Sequence, residues 1–371
     1  MIDASIFKAY DVRGIYPDQM DEQVAYRLGR GFARVISELE GTPVDKLRLG
    51  LGRDMRLSAP GMAHEYAHGM LDEGAHVIDV GQVGTEQLYY LVGSRELDGG
   101  NGMAGPMDGP VLDELPIEQV ATYWTPDGNF PDHEPNPLLP ENRTFIIKKV
   151  LSEGAELGIA WDGDADRCFF IDDTGKFVDG DFLTALLAES ILAKDPGALI
   201  LYDVRASRAV RDTVERAGGR ADVNRVGHAF FKTRMRQDGA AFGGEVSGHY
   251  YFRDFYCADS GTLPALLILE LLSVKGKRLS ELLAPYRDNY FISGEINSEV
   301  HDQDAKMNEL AERYSDGHVS WLDGVSVDFD DWHFNVRPSN TEPLLRLNLE
   351  SLVSPDDMEA KRDEVLDLIR S

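Results

Sequence analysis

Cysteine is nearly absent: Cys168 and Cys257 are the only two in 371 residues. Two thiols cannot build a disulfide framework, and Cys168 stands in an apolar run where a reduced thiol packs as a small hydrophobe, so a reducing compartment is expected. Also missing is any run of about 20 apolar residues of the kind that spans a bilayer, and the N-terminal MIDASIFKAYDVRG has no apolar leader core. The expectation is therefore a cytoplasmic protein without a membrane partner. Basic residues are scarce, 37 Lys and Arg against 65 Asp and Glu, for a formal net charge of −28. Nucleic-acid backbones select basic faces, which argues against a nucleic-acid partner. An acidic total still admits an anionic small molecule, provided the cations are gathered locally. What remains is ordinary for a globular chain, 43% hydrophobic and 27% charged residues. Its length exceeds one ordinary core, so two to four domains are expected.

The chain is organised around Leu157 to Asp173, LGIAWDGDADRCFFIDD. Two apolar runs read as short buried strands, and Asp162-Gly163-Asp164-Ala165-Asp166-Arg167 reads as a surface loop between them. Alternate spacing with small residues between lets Asp162, Asp164 and Asp166 turn towards one point, where a hard divalent cation such as Mg²⁺ would relieve their repulsion. Arg167 stands ready for an anion. A merely solvated acidic turn is the plain alternative. An EF-hand fits poorly, because Arg167 stands where its sixth position needs Gly and Asp173 where its twelfth needs Glu. An aspartyl-phosphate phosphatase, whose nucleophile sits in a D-x-D turn, is a minor alternative.

Along the chain, KAYDVRG at residues 8 to 14 combines Lys8, Tyr10 and Arg13, and a helix from about Asp21 to Glu38 follows. A β-loop-α-β unit comes next: strand Leu47 to Leu51, loop Gly52-Arg53-Asp54-Met55-Arg56, helix from about Ala59 to Glu73 with Ser58 as N-cap and Pro60 in its first turn, and strand His76 to Val80. That order predicts a parallel sheet with ligand loops at strand carboxyl ends. The helix contains His64-Glu65-Tyr66-Ala67-His68, a formal match to the zinc peptidase H-E-x-x-H. No flanking segment supplies an obvious third ligand except Glu86, so a zinc hydrolase is a distant alternative.

Thr85 to Leu97 reads as a helix stopped by Asp98-Gly99-Gly100, and the glycine-rich Asn101 to Pro106 opens a helix around Val111 to Leu115. Glu118 to Trp124 reads as a strand, Pro126-Asp127-Gly128 and Pro131 to Pro140 as an extended loop, and Arg143 to Glu153 as a helix. After the acidic loop come helix Asp181 to Ala193, strand Leu199 to Asp203 ending at Val204-Arg205, and strand Ala221 to Val226 leading to Gly227-His228. Lys232 lies one helical turn beyond His228. Gly243 to His249, GGEVSGH, displays Glu245, Ser247 and His249 from a glycine-flanked loop, before helix Thr262 to Leu272. From about Tyr290 the order becomes strand, helix, then strands Val325 to Phe329, His333 to Val336 and Leu344 to Leu349, with Ser354 capping a last helix, Pro355 to Ile369. Between the last two strands, Arg337-Pro338-Ser339-Asn340-Thr341-Glu342-Pro343 has the composition of a phosphate cradle, although a polar hairpin turn has it too.

Taken in order, KAYDVRG, GRDMR, DGDADR, GEVSGH and RPSNTEP resemble the ordered motifs of the α-D-phosphohexomutase family, the phosphomannomutase/phosphoglucomutase enzymes. The resemblance implies α/β domains with mixed sheets around a central cleft plus a C-terminal α+β domain. The expected boundaries are 1–100, 101–176, 177–288 and 289–371. It implies an intramolecular phosphotransferase: a phosphoserine gives its phosphoryl group to a hexose monophosphate, the bisphosphate reorients, and the other phosphate returns to the serine. It assigns Mg²⁺ to Asp162, Asp164 and Asp166, and the sugar hydroxyls to Glu245 and Ser247, with His249 in the same loop. The non-reacting phosphate goes to Arg337, Ser339, Asn340 and Thr341. Arg205, His228 and Lys232 would line the ligand cleft, and Arg13, Arg53 and Arg167 would lie near the reacting phosphate.

One part is missing. The family's serine loop, of the form T-A-S-H-N-P, should follow Asp98-Gly99-Gly100, and no serine in the chain is followed by histidine. The Leu-Asp-Gly-Gly before that loop is joined directly to the Asn-Gly-Met-Ala-Gly turn of the second domain. A deletion between two similar stretches explains this, and it allows residues 1 to about 176 to merge into one α/β body, with one sheet strand lost from each of the two domains. The expectation is a hexose-phosphate-binding protein with little or no turnover and reduced stability.

Overall fold

A computed structural model describes residues 2–8, 11–95, 104–125, 127, 131, 134–339 and 344–371. Tyr10, the junction around Gly100 and Asn101, Pro126, Gly128, Asn340 and Thr341 lie outside the described residues. No helix among them is long and apolar enough to cross a membrane. The chain divides into two compact units: residues 1–145, 159–168 and 258–265 in the first, and 146–158, 169–257 and 266–371 in the second.

In the first unit the expected β-α-β order holds. Strands Arg48–Arg53 and His76–Gln82 pair in parallel, with a register slip between Leu51 and Gly52 where the chain turns into the Arg53 loop. Among the described residues this sheet has two strands. Helix Glu22–Glu40 starts on Asp21, which accepts from the Val24 amide at 2.8 Å, and packs on helix Ala59–Asp72. Their approach is backbone to backbone: a Cβ on Gly29 would stand 2.0 Å from the Tyr66 carbonyl oxygen, and one on Gly69 2.0 Å from that of Tyr26. Ala33, Leu47, Leu49, Met70 and Ala75 fill the core beneath. Ser58 occupies the cap position, but its side chain makes no capping bond, because its backbone is already helical at φ −77°, ψ −20°.

Two further expectations are corrected. Glu118 to Trp124 is not a strand. Tyr123 turns to φ +55°, and Trp124 packs edge-on against Trp161 with centroids 5.9 Å apart, so the alternation there serves local packing rather than a ladder. The helix expected around Val111 runs Ala104–Leu112, one turn earlier.

In the second unit strands Arg220–Asn224, Leu199–Asp203, Phe242–Gly244 and Tyr250–Phe252 lie side by side in that order. The first three run parallel and the last antiparallel. Helices Gly180–Lys194, Arg208–Arg216 and His228–Asp238 accompany them. The C-terminal part is an antiparallel sheet whose central strands, Trp332–Pro338 and Leu344–Ser351, pair with each other. Helices Gln303–Arg313 and Pro355–Arg370 cover a core of Leu310, Val327, Phe334, Leu347 and Val365. Ser354 caps the last helix as expected, accepting from the Asp357 amide at 3.1 Å. The mixed sheet and the α+β C-terminal part are of the kind that the motif order implies.

Candidate functional site

The acidic loop lies in the first unit between strands Leu157–Trp161 and Cys168–Asp172. It is not the open surface loop expected: Asp162 and Ala165 are buried and the other four residues half-buried. Burial is tolerated because Arg167 folds back, donating through Nε to Asp162 Oδ2 at 2.7 Å and through its amide to Asp162 Oδ1 at 3.2 Å. Ala165 sits at φ +59° and brings its carbonyl against Gly261, where a Cβ would stand 2.3 Å away. That turn aims all three carboxyls inward.

One oxygen from each of Asp162, Asp164 and Asp166 lies within 4.8 Å of the others. Burial first, then the charge of Asp164, raises Asp162 to about 6 against the pull of Arg167. Burial, then the charges of Asp162, Asp164 and Asp259, push Asp166 well above the carboxylate range. An all-oxygen donor set that repels itself suits a hard divalent cation. These three residues would hold Mg²⁺, which on binding supplies positive charge to the oxygens of a phosphoryl group. Thr85 Oγ1 donates to Asp164 at 3.3 Å, steadying that carboxyl. A cavity of about 490 Å³ opens beside the loop, lined by Arg56, Glu134, Pro135, Asn136, Asp162, Gly163, Asp164 and Arg167. Arg13 is bonded to Asp11 at 2.6 Å and Arg53 lies 3.4 Å from Asp79; neither lines that cavity. Arg56, from the same GRDMR loop, does, and its residue type alone could not single it out.

His64 and His68 lie on one helix face with ring centroids 6.5 Å apart, and both face Glu65. No group of three candidate ligands among the described residues contains either histidine. The geometry gives the zinc alternative no support.

The second unit gathers the other motifs. Arg205 follows strand Leu199–Asp203, and Asp203 grips it through both oxygens, at 3.0 Å from Nε and 2.8 Å from Nη2. Asp203 also accepts from the Val246 amide at 2.9 Å, which ties the Arg205 turn to the GEVSGH loop. Burial opposes the Asp203 charge, but Arg205 and these bonds outweigh it and hold the carboxyl below its ordinary value. Glu245 is fully enclosed, accepting from the Gly227 amide at 2.7 Å and the Tyr251 hydroxyl at 2.5 Å. Burial, then the neighbouring Asp203 charge, raises it to about 7. Ser247 Oγ and His249 Nδ1 are 3.1 Å apart. His228 and Lys232 share the helix His228–Asp238, four residues apart on one face, as the spacing predicts.

Arg337 is the last residue but one of strand Trp332–Pro338, and Ser339 follows that strand. Glu295 was not singled out in the sequence. Its carboxylate takes bonds from Arg205 Nη1 at 3.4 Å, Arg337 Nη2 at 3.2 Å and Arg346 Nη1 at 3.1 Å. Nothing in GEINSE marks that glutamate; only the fold brings three guanidiniums to it.

Comparison with known proteins follows the same order of parts. Family profiles described as phosphoglucomutase/phosphomannomutase alpha/beta/alpha domains I, II and III match residues 4–103, 96–175 and 179–290, and the C-terminal domain profile matches 295–368. A protein of Xanthomonas campestris named "Phosphohexose mutases" is 36% identical, with 98% of this chain and 99% of the relative covered. The chain belongs to the phosphoglucomutase/phosphomannomutase family. A phosphomannomutase of Escherichia coli is 34% identical over 98% of each chain. A solved structure of a family protein from Burkholderia thailandensis superposes with a TM-score of 0.86 at 26% identity, covering 99% of this chain and 97% of that one. The Aspergillus fumigatus N-acetylphosphoglucosamine mutase, solved in complex with GlcNAc-6P and magnesium, shares the fold at 17% identity, with a TM-score of 0.63 over 91% of this chain and 86% of that one.

Two details of these alignments concern the segment around residues 96–103 and the length of the chain. The domain I and domain II profiles both claim residues 96–103. The Xanthomonas alignment spans 450 positions against a chain of 371 residues, so at least 450 minus 371, or 79, positions are filled by the relative alone.

Proposed function

We propose that this chain binds hexose phosphates together with Mg²⁺, in the manner of its mutase relatives, and interconverts hexose 1- and 6-phosphates slowly or not at all. The observation that carries the reading is the absence of any Ser-His pair from a chain that keeps the other five ordered motifs. The overlapping domain profiles and the unmatched positions support a deletion at the Gly100–Asn101 junction. So does the sheet of Arg48–Arg53 and His76–Gln82, which has two strands among the described residues. On this reading the four family domains run 1–100, 101–176, 177–288 and 289–371, with the first two shortened where they meet.

Each retained loop has a role. Asp162, Asp164 and Asp166 hold the metal. Arg167 counters the burial that raises Asp162, and with Arg56 beside it in the cavity it meets the reacting phosphate, to which the family resemblance also assigns Arg13 and Arg53. Ser247 receives sugar hydroxyls beside His249, and Glu245 joins it by exchanging its bonds from the Gly227 amide and the Tyr251 hydroxyl. Arg337, Ser339, Asn340 and Thr341 receive the other phosphate, and Arg205, His228 and Lys232 line the ligand. Phosphoryl transfer is catalysed chiefly by positioning and by cations on the equatorial oxygens, and these loops supply both. What they do not supply is the nucleophile that carries the phosphoryl group between the two ends of the sugar. Positioning groups cannot take over covalent chemistry merely by proximity.

Two measurements on the same preparation test this. Calorimetry with glucose 1-phosphate and Mg²⁺ is expected to show saturable binding. A coupled assay converting mannose or glucose 1-phosphate to the 6-phosphate is expected to stay at background. Absence of binding rejects the binding function, and sustained turnover rejects the loss of catalysis.

A further inference from the structure

Three guanidiniums and two carboxylates meet in the second unit: Arg205, Arg337 and Arg346 with Asp203 and Glu295. Direct pairing therefore leaves one positive charge over. Asp203 is wholly buried and belongs to Arg205 and the Val246 amide, so it is a fixed part of the frame. Glu295 differs. It follows Gly294, which turns at φ +68°, and 27% of its side chain is open to solvent, whereas the side chains of Arg205 and Arg337 are more than nine-tenths buried. It touches all three guanidiniums, one oxygen shared by Arg205 and Arg337 and the other taken by Arg346. Even so, it leaves donors idle: the Nε groups of Arg337 and Arg346 are buried without a hydrogen-bond partner among the described residues. Arg346 Nη2 reaches the Ser339 hydroxyl at 3.3 Å, so the cluster extends to Ser339.

A monoanion with two oxygens thus sits where the surrounding charges and donors would be better matched by a dianion with three. Guanidinium forks pair with phosphate oxygens at least as well as with carboxylates. We infer that Glu295 is the resident counter-anion of a three-arginine phosphate site, and that a phosphate monoester binds by displacing its carboxylate. This rests on the phosphate-binding role proposed for the Arg337 loop and adds to it a built-in competitor. In the empty state Glu295 also joins the Arg205 turn to the C-terminal strands, a link that the incoming phosphate takes over. Every phosphate that binds must first break three ion pairs, so the site is tuned to release its ligand as well as to hold it.

The test is calorimetric titration of the full chain with inorganic phosphate and with glucose 1-phosphate, comparing the parent with Glu295→Gln, Glu295→Asp and Arg337→Ala. Removing the competing charge is expected to tighten phosphate binding at least fivefold in Glu295→Gln. Glu295→Asp keeps the charge but is too short to span three guanidiniums, and it is expected to move in the same direction by a smaller factor. Arg337→Ala is expected to lose phosphate binding. A gain in affinity is not a result that general structural damage produces. If the parent binds phosphate and both Glu295 variants bind it equally or more weakly, Glu295 is a fixed orienting group; the inference then falls while the phosphate site stands. If neither the parent nor any variant binds phosphate or glucose 1-phosphate, the site itself is refuted and the inference with it.

Discussion

Asp108 offers a sharp test of how the first unit is packed. It lies in helix Ala104–Leu112, is 1% exposed, and one of its oxygens accepts from the Thr262 hydroxyl while Oδ2 has no partner among the described residues. Burial, with a smaller push from the charge of Glu86, raises its carboxyl from 3.8 to about 7. At about 1.4 kcal/mol for each tenfold change, that rise makes the ionised folded protein less stable by about 4 kcal/mol. The sign follows from linkage. An acid whose folded value lies above its unfolded value binds more protons when folded, so stability falls as pH rises from about 4 and levels off above about 7. Asp108→Asn keeps the acceptor for Thr262 and removes the charge. Urea unfolding of the first unit, followed by hydrogen exchange, is expected to show the variant more stable at pH 8 by up to about 4 kcal/mol, and the advantage gone at about pH 4. An equal difference at both pH values, or a variant less stable at pH 8, would refute the reasoning.

Two further outcomes are expected. Asp164→Asn removes one of three converging carboxyls and should weaken Mg²⁺ binding more than tenfold in a metal titration of the full chain; unchanged affinity would place the metal elsewhere. Gly69→Ala puts a Cβ 2.0 Å from the Tyr26 carbonyl oxygen and should cost about 3 kcal/mol or more, whereas Gly31→Ala, with open space at its Cβ, should be neutral or stabilising by about 0.5 kcal/mol, both read as urea midpoints.

Much of the fold was legible because its signals are local. The β-α-β order around Arg53, the strands flanking the acidic loop, the helix that carries His228 and Lys232, and the capped last helix each follow from periodicity, turns and caps within about 15 residues. The misread strand at Glu118 to Trp124 shows the limit: alternation marks a strand only where a neighbour exists to complete the ladder, and Tyr123 at φ +55° breaks the extension instead. Burial of Asp162 was equally invisible, because it depends on Arg167 folding back and on Gly261, almost 100 residues later, making room for Ala165. Glu295 and Asp108 went unnoticed for the same reason. A single carboxylate has no pattern of its own; its partners Arg205, Arg337, Arg346 and Thr262 are supplied by distant segments.

The central proposal is that this chain keeps the metal, sugar and phosphate loops of its relatives but not the serine nucleophile. The most direct measurement is the steady-state conversion of glucose 1-phosphate to glucose 6-phosphate, with Mg²⁺ and catalytic glucose 1,6-bisphosphate present, on protein whose intact mass matches the 371-residue chain. The account predicts a rate indistinguishable from a protein-free control under conditions where calorimetry shows the sugar phosphate bound. Turnover well above that control, with a phosphorylated protein detected by intact mass, would contradict it.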